Sequence, residues 1–110
     1  MLKTSKTGDV MVVEPPGELD SRNAQAAREA LKALIEGGES RLVINLQSAT
    51  FVDSSGLGAL ITALKAARTA GGDIRLCGIN PSVRTIFELT RLIRVFTIHT
   101  NVEEAISSFK

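Results

Sequence analysis

Hydrophobic residues are distributed along the chain in short runs that alternate between strand spacing and helix spacing. Residues 10–13 are apolar and mostly β-branched and are followed closely by a proline pair, which predicts a strand. Residues 2–6 alternate weakly and predict a partner strand across a turn at residues 7–9. Further apolar runs predict strands at residues 42–46, 74–77 and 95–98. The first of these runs is almost continuously apolar, which is typical of a strand buried on both faces.

Helical spacing of apolar residues occurs between these strands. The predicted helices cover about residues 22–36, 54–70, 81–90 and 101–109. Glycine pairs follow the first two helices and are suited to end them. Asn80 can cap the third helix with Pro81 in its first turn, and Asn101 with Glu104 three residues later resembles a capping box that opens the fourth.

The resulting order of elements is β, β, α, β, α, β, α, β, α. It predicts an α/β fold in one domain over residues 1–110, with a mixed, mostly parallel sheet of four to five strands and about four helices. Such sheets place functional loops at the carboxyl ends of their strands. Two loops of this kind stand out, at residues 17–20 and 50–56.

Composition and charge exclude several classes of function. With 44% apolar and 23% charged residues among 110, the chain is typical of a globular protein. Thirteen basic and twelve acidic side chains leave a net charge of +1, which does not provide the basic surface of a nucleic-acid binder. The chain has no Trp, no Tyr and four Phe, so it lacks a platform for stacking bases. We therefore expect no direct nucleic-acid partner.

The scarcity of cysteine and histidine indicates the compartment. One cysteine, Cys77, cannot form an internal disulfide, and together with one histidine, His99, it cannot complete a zinc site. The apolar stretches are far shorter than the ~20 residues that cross a bilayer. The first nine residues lack the apolar region of a signal peptide. We therefore expect a cytoplasmic protein with no metal and no membrane partner.

The most informative polar segment covers residues 53–58, where an exit loop becomes the first turn of the second helix. One interpretation is structural: Asp53 or Ser54 caps the free N–H groups of the helix. Two features favour a functional interpretation. One cap suffices, yet three polar residues follow one another, and Gly56 and Gly58 each cost up to ~1 kcal/mol of helix stability relative to alanine. Such a bare surface suits close approach by a protein partner or a phosphate.

A catalytic serine is not expected in this segment. A nucleophile elbow needs glycine two residues before and two residues after the serine. Ser54 is preceded at that distance by Val52, and Ser55 has no glycine at either position. His99 is expected to be an exposed residue at a strand end rather than a general base. We therefore expect the chain not to be an enzyme.

Nucleotide-binding motifs are incomplete or absent. Gly56 and Gly58 match the first part of a dinucleotide fingerprint, but Ile61 occupies the position of its third small residue. The Gly-Lys-Ser/Thr string of a P-loop does not occur. A small α/β domain that binds a nucleotide through residues 54–58 stays open as an alternative.

Four segments of the chain resemble a bacterial anti-sigma factor antagonist of the STAS domain family. They are residues 17–20, 42–46, 51–58 and 80–90. The resemblance extends from about residue 10 to residue 109, and the Asp-Ser-Ser-Gly-Leu-Gly string at 53–58 is its specific part. It implies a single STAS-like domain without a cofactor. Separately from the resemblance, we expect a monomer or a weak dimer. A STAS domain of another signalling or transport-associated complex is the alternative on the same fold.

The resemblance also implies a partner switch. Ser54 would be phosphorylated by an anti-sigma factor that is itself a serine kinase and that binds the ATP. The unphosphorylated chain would bind this kinase and release the sigma factor, and a PP2C-type phosphatase would restore the binding form. The docking surface around this serine would include Asp20, Asp53, Ser55, Gly56 and Gly58.

The sequence departs from the family pattern in two places. Pro15 and Pro16 stand where the family continues its first parallel strand, so a shorter strand is expected before the loop of Asp20. Arg91 stands where a glycine usually ends the third helix. We therefore expect that helix to end without the left-handed residue that glycine readily provides.

Overall fold

The computed structural model describes residues 2–109 and shows an α/β fold whose sheet carries helices on both faces. The strands are β1 (Lys3–Thr7), β2 (Val10–Glu14), β3 (Glu18–Leu19), β4 (Arg41–Asn45), β5 (Phe51–Val52), β6 (Asp73–Cys77) and β7 (Thr97–His99). The helices are α1 (Ala24–Glu36), α2 (Ser54–Thr69), α3 (Pro81–Leu89) and α4 (Val102–Ser107), with a 3-10 turn at Leu92–Arg94. Within residues 2–109 the predicted α/β class and helix number are therefore confirmed.

The main sheet has the strand order β1-β2-β4-β6-β7. The β1 and β2 strands pair antiparallel through a turn in which Gly8 has a φ of +60°. The other three pairings are parallel, so the described residues form the expected mixed, mostly parallel sheet at its upper size of five strands. The carboxyl ends of β2, β4, β6 and β7 consequently meet at one edge.

Apolar side chains of β4 alternate between two cores. Leu42 and Ile44 face the larger core, which is built with α1, α2 and α3. Val43 faces a smaller core beneath α4, where it packs with Cys77. These three central side chains of β4 are at most 1% exposed, which confirms that the strand is buried on both faces. Burial also raises the pKa of the Cys77 thiol to about 11.

The third helix ends differently from the expectation. Arg91 itself adopts the left-handed conformation, with a φ of 62°, so the expectation of an end without a left-handed residue is wrong. This conformation costs a non-glycine residue roughly 1–2 kcal/mol. The 3-10 turn that follows holds residues 95 and 96 by hydrogen bonds to Leu92 O, and β7 therefore starts at Thr97 rather than at residue 95.

The histidine also differs from its predicted environment. His99 is only 16% exposed at its side chain, and its Nδ1 lies 3.2 Å from Glu104 Oε1 of α4. The expectation of an exposed strand-end residue is therefore wrong, because α4 covers this end of β7. Between Leu2 and Phe109 no helix combines the length and apolar character needed to cross a membrane.

Candidate functional site

The loops that follow β2 and β4 are joined by a second, two-stranded parallel sheet. Its strands, β3 and β5, pair Glu18 with Phe51 and Leu19 with Val52. Just before β5, the backbone N and the hydroxyl of Thr50 both donate to Gly17 O, at 2.7 and 3.1 Å. The two loops singled out in the sequence therefore form one unit at the carboxyl edge, although neither short strand was predicted.

Pro15 and Pro16 account for the break between β2 and β3. The first parallel strand ends at Glu14, as expected from the proline pair, and pairing resumes only at Glu18. Proline has no N–H group to donate to a neighbouring strand, so the ladder cannot continue through these residues. The chain after the prolines is thereby free to turn toward β5 and the start of α2.

Asp53 connects this unit to the second helix. Its Oδ1 accepts a hydrogen bond from Gly56 N at 2.9 Å, which makes it the N-cap of α2. Its Oδ2 accepts a hydrogen bond from Ser21 N at 3.1 Å, and its own N–H donates to Leu19 O at 3.2 Å. The capping interpretation of Asp53 is confirmed, and the same carboxylate also fixes the loop of Asp20 against the helix.

Ser54 is the first residue of α2, and it is exposed, whereas Ser55 is partly buried. The first N–H groups of a helix have no intrahelical acceptors and carry the positive end of its dipole. A phosphate on a hydroxyl at this position is therefore favoured electrostatically. Of the two serines, Ser54 is the one that a modifying enzyme reaches more readily.

The two glycines of the segment have different surroundings. Gly56 is buried, and a Cβ there would clash with Leu19 O and lie 3.0 Å from Leu19 Cγ. The interpretation of Gly56 as bare surface is therefore wrong, because β3 crosses the helix at this point. At Gly58 a Cβ would make an ordinary contact with Arg28 Nη2 at 3.7 Å. The fold thus requires glycine at position 56 but not at position 58.

Asp20 is 7% exposed and is covered by an arginine. Arg22 Nη2 lies 2.7 Å from Asp20 Oδ2, and the Arg22 backbone N–H donates to Asp20 Oδ1 at 3.0 Å. Hydrogen bonds from the Arg22 side chain lower the pKa of Asp20 below its usual value. The side chain that faces solvent here is Arg22, which is 71% exposed and also lies 3.6 Å from Glu18 Oε2.

Sequence reasoning missed Arg22 and Ser21 as parts of this site. The spacing offered a signal for the arginine, which stands two residues after Asp20 and four after Glu18. The role of Ser21 depends on its backbone N–H, which no residue pattern reveals. The structure brings Asp53, Ser54 and Ser21 together, and it connects Asp20 to this group through the backbone of the loop.

The surface next to these residues combines apolar and charged groups. Phe51 is 46% exposed, a large apolar side chain on the strand that pairs with Glu18. Close to it lies a shallow depression of about 530 Å³. It is lined by Pro16, Gly17, Glu18, Arg22, Asn23, Ser48 and Thr50. Aromatic residues and arginine are enriched in protein–protein interfaces relative to the rest of a protein surface.

The described residues contain no cluster of side chains suited to bind a metal ion. Across residues 2–109, no group of three or more His, Cys, Asp or Glu side chains is placed to hold a metal ion. The acidic side chains of the site are used otherwise, since Asp53 caps α2 and Asp20 pairs with Arg22.

Comparisons with known proteins find a matching family model and several similar bacterial proteins. The model of the STAS domain family matches residues 1–105. An anti-sigma F factor antagonist of Paenibacillus polymyxa is 28% identical, covering 92% of this chain and 87% of the relative. A candidate anti-sigma factor antagonist of Bordetella bronchiseptica, BtrV, is also 28% identical, covering 99% and 94%. The crystal structure of a candidate antagonist from Thermotoga maritima superposes with a TM-score of 0.93 at 25% identity, covering 98% and 93%.

Proposed function

The chain belongs to the STAS domain family, and we propose that it acts as an anti-sigma factor antagonist whose docking surface is switched by phosphorylation of Ser54. Relatives that carry the antagonist name match it over nearly their whole length, which supports the role. The observation that carries the switch is the exposed Ser54 hydroxyl at the start of α2, beside the loop that Asp53 holds in place.

In this mechanism the unphosphorylated chain binds an anti-sigma factor that is a serine kinase, and the sigma factor is released. The kinase holds ATP, and Ser54 Oγ attacks its γ-phosphorus. A new O–P bond forms, the bond to the ADP oxygen breaks, and the hydroxyl proton passes to a base of the kinase. A PP2C-type phosphatase later hydrolyses the ester with water, which restores the hydroxyl and releases inorganic phosphate. The chain itself catalyses neither step.

Electrostatics explain how one phosphate can end docking without refolding the chain. The phosphate adds about −1.5 to −2 charges and three acceptor oxygens. At a helix N-terminus that charge is stabilised, typically by ~0.3–1 kcal/mol, so the fold is retained. At an interface, however, the same charge must be desolvated beside the Asp53 carboxylate, and like-charge juxtaposition there costs several kcal/mol. Since ~1.4 kcal/mol is tenfold in affinity, docking weakens about a hundredfold or more.

The assignment of the phosphorylation site is tested by labelling the full chain with radioactive ATP and a purified anti-sigma factor kinase from the same organism. We expect Ser54→Ala to abolish labelling and the matched control Ser55→Ala to retain it, because only Ser54 is exposed. The reverse result would move the site by one residue. Absence of label from the unaltered chain, with every such kinase of the organism, would contradict the proposed switch.

A further inference from the structure

Arg28 of α1 lies close to α2, the helix that begins with Ser54. Arg28 Nη2 is 3.7 Å from the position that a Cβ would occupy at Gly58. Gly58 follows Ser54 by four residues, so the two lie on the same side of α2, and Cβ positions at this spacing are about 5–6 Å apart. The guanidinium therefore contacts α2 at the residue that lies one helical turn beyond Ser54.

The hydrogen bonds of Arg28 leave its charge unneutralised. Its Nη1 donates to the neutral amide of Gln25 at 2.8 Å. Its Nε is buried and has no hydrogen-bond partner within residues 2–109. In the same part of the chain it forms no ion pair with a carboxylate. A buried donor without an acceptor is costly, so this arginine is suited to receive an additional anionic group.

Arg22 makes a useful contrast, because it is the other arginine close to the site. Both of its neighbouring carboxylates, Asp20 and Glu18, already engage its guanidinium. Recruiting Arg22 to a phosphate would require breaking a 2.7 Å ion pair. Arg28 would lose at most a hydrogen bond to the Gln25 amide.

We propose that Arg28 is the intramolecular partner of the phosphate on Ser54, and this inference rests on the proposed phosphorylation of that residue. The planar guanidinium can donate two parallel hydrogen bonds to phosphate oxygens. Gly58 has no Cβ to obstruct the path of the side chain from its observed position toward the start of α2. Arg28 thereby acts as a positioning residue that holds the phosphate against α2 and keeps it doubly ionised at neutral pH.

The test installs phosphoserine at position 54 during translation, so that no kinase is needed. The second pKa of the phosphate is measured by phosphorus NMR in the unaltered full chain and in Arg28→Gln, Arg28→Lys and Lys32→Gln. A phosphoserine ordinarily has a second pKa of about 6. We expect it to be about half a unit or more higher in Arg28→Gln than in the unaltered chain, because a cation close to a titrating anion lowers its pKa. Arg28→Lys should give an intermediate value.

Lys32→Gln is the matched control. Lys32 is exposed on α1, four residues beyond Arg28. Because α1 and α2 both return from the carboxyl edge of the sheet, Lys32 lies farther from Ser54, and its removal should leave the phosphate pKa close to that of the unaltered chain. An equal shift in both glutamine variants would overturn the proposal, since it would show only a general loss of positive charge.

A second measurement leaves Arg28 unchanged. In nitrogen-15 spectra of the otherwise unaltered chain, the Arg28 Nε–H signal should shift when Ser54 is replaced by phosphoserine. A phosphate pKa that is the same with and without the arginine, or an unmoved Nε–H signal, would overturn the Arg28 contact. These results do not depend on the kinase, so failure of the labelling experiment and failure of this inference are distinguishable.

Discussion

The inner and outer sides of the first two turns of α2 differ in how closely other parts of the chain pack against them. On the inner side, Gly56 is buried against Leu19, and a side chain there would clash with the backbone of β3. On the outer side, Ser54 is exposed and Gly58 has room for a Cβ. Glycines two residues apart are therefore present for different reasons. Gly56 is required by packing, whereas packing does not require glycine at position 58.

The inner side also determines how the outer side is presented. β3 approaches the helix closely, and two hydrogen bonds form there. The backbone N–H of Ser21 donates to Asp53 Oδ2, and the backbone N–H of Asp53 donates to Leu19 O. These contacts hold the loop of Asp20 next to Ser54. Loss of the close approach would consequently disturb both the stability of the domain and the geometry of the site.

The largest effect is expected from Gly56→Ala. Helix propensity alone would make alanine more stable by up to ~1 kcal/mol. The clash with Leu19 O should outweigh this gain and lower the free energy of unfolding by about 2–3 kcal/mol, at the upper end of overpacking costs. Urea denaturation of the full chain measures the change. Stability equal to or above that of the unaltered chain would show that β3 does not approach the helix closely.

A smaller effect of opposite sign is expected from Gly58→Ala, the matched control on the outer side. The added methyl makes an ordinary contact with Arg28, so the free energy of unfolding should rise by up to ~1 kcal/mol. If this position belongs to the docking surface, affinity for the anti-sigma factor should nevertheless fall about tenfold, because an extra methyl in a close-packed interface costs roughly 1–3 kcal/mol. Unchanged affinity would remove Gly58 from the proposed surface, and a loss of stability would contradict the comparison of the two glycines.

Hydrophobic periodicity predicted most of the architecture, for physical reasons that the structure makes visible. The β4 side chains are buried on both faces, so they form an almost unbroken apolar run, and α1 buries one face, so its apolar residues recur at helical spacing. The strands β3 and β5 escaped prediction because each has only two residues and depends on the other for pairing. The left-handed Arg91 escaped prediction because residues other than glycine rarely adopt this conformation.

The candidate site was predictable only in part. The N-cap chemistry of Asp53 follows from its position before a helix, and that prediction is confirmed. The burial of Gly56 and the cover of Asp20 by Arg22 arise from contacts across loops that a linear pattern does not contain. Arg28 lies on a different helix from Ser54, so only the packing of α1 on α2 reveals its proximity. The switch and its partners stay predictions.

The central claim is that a phosphate on Ser54 changes the surface of the chain and not its fold. The direct measurement is the affinity of the full chain for a purified anti-sigma factor kinase from the same organism, by calorimetry, with serine or phosphoserine at position 54 and with amide hydrogen exchange of both forms. We predict affinity about a hundredfold or more weaker for the phosphorylated form, with unchanged protection of the sheet. Equal affinities, or a loss of affinity accompanied by a rearranged sheet, would contradict the account.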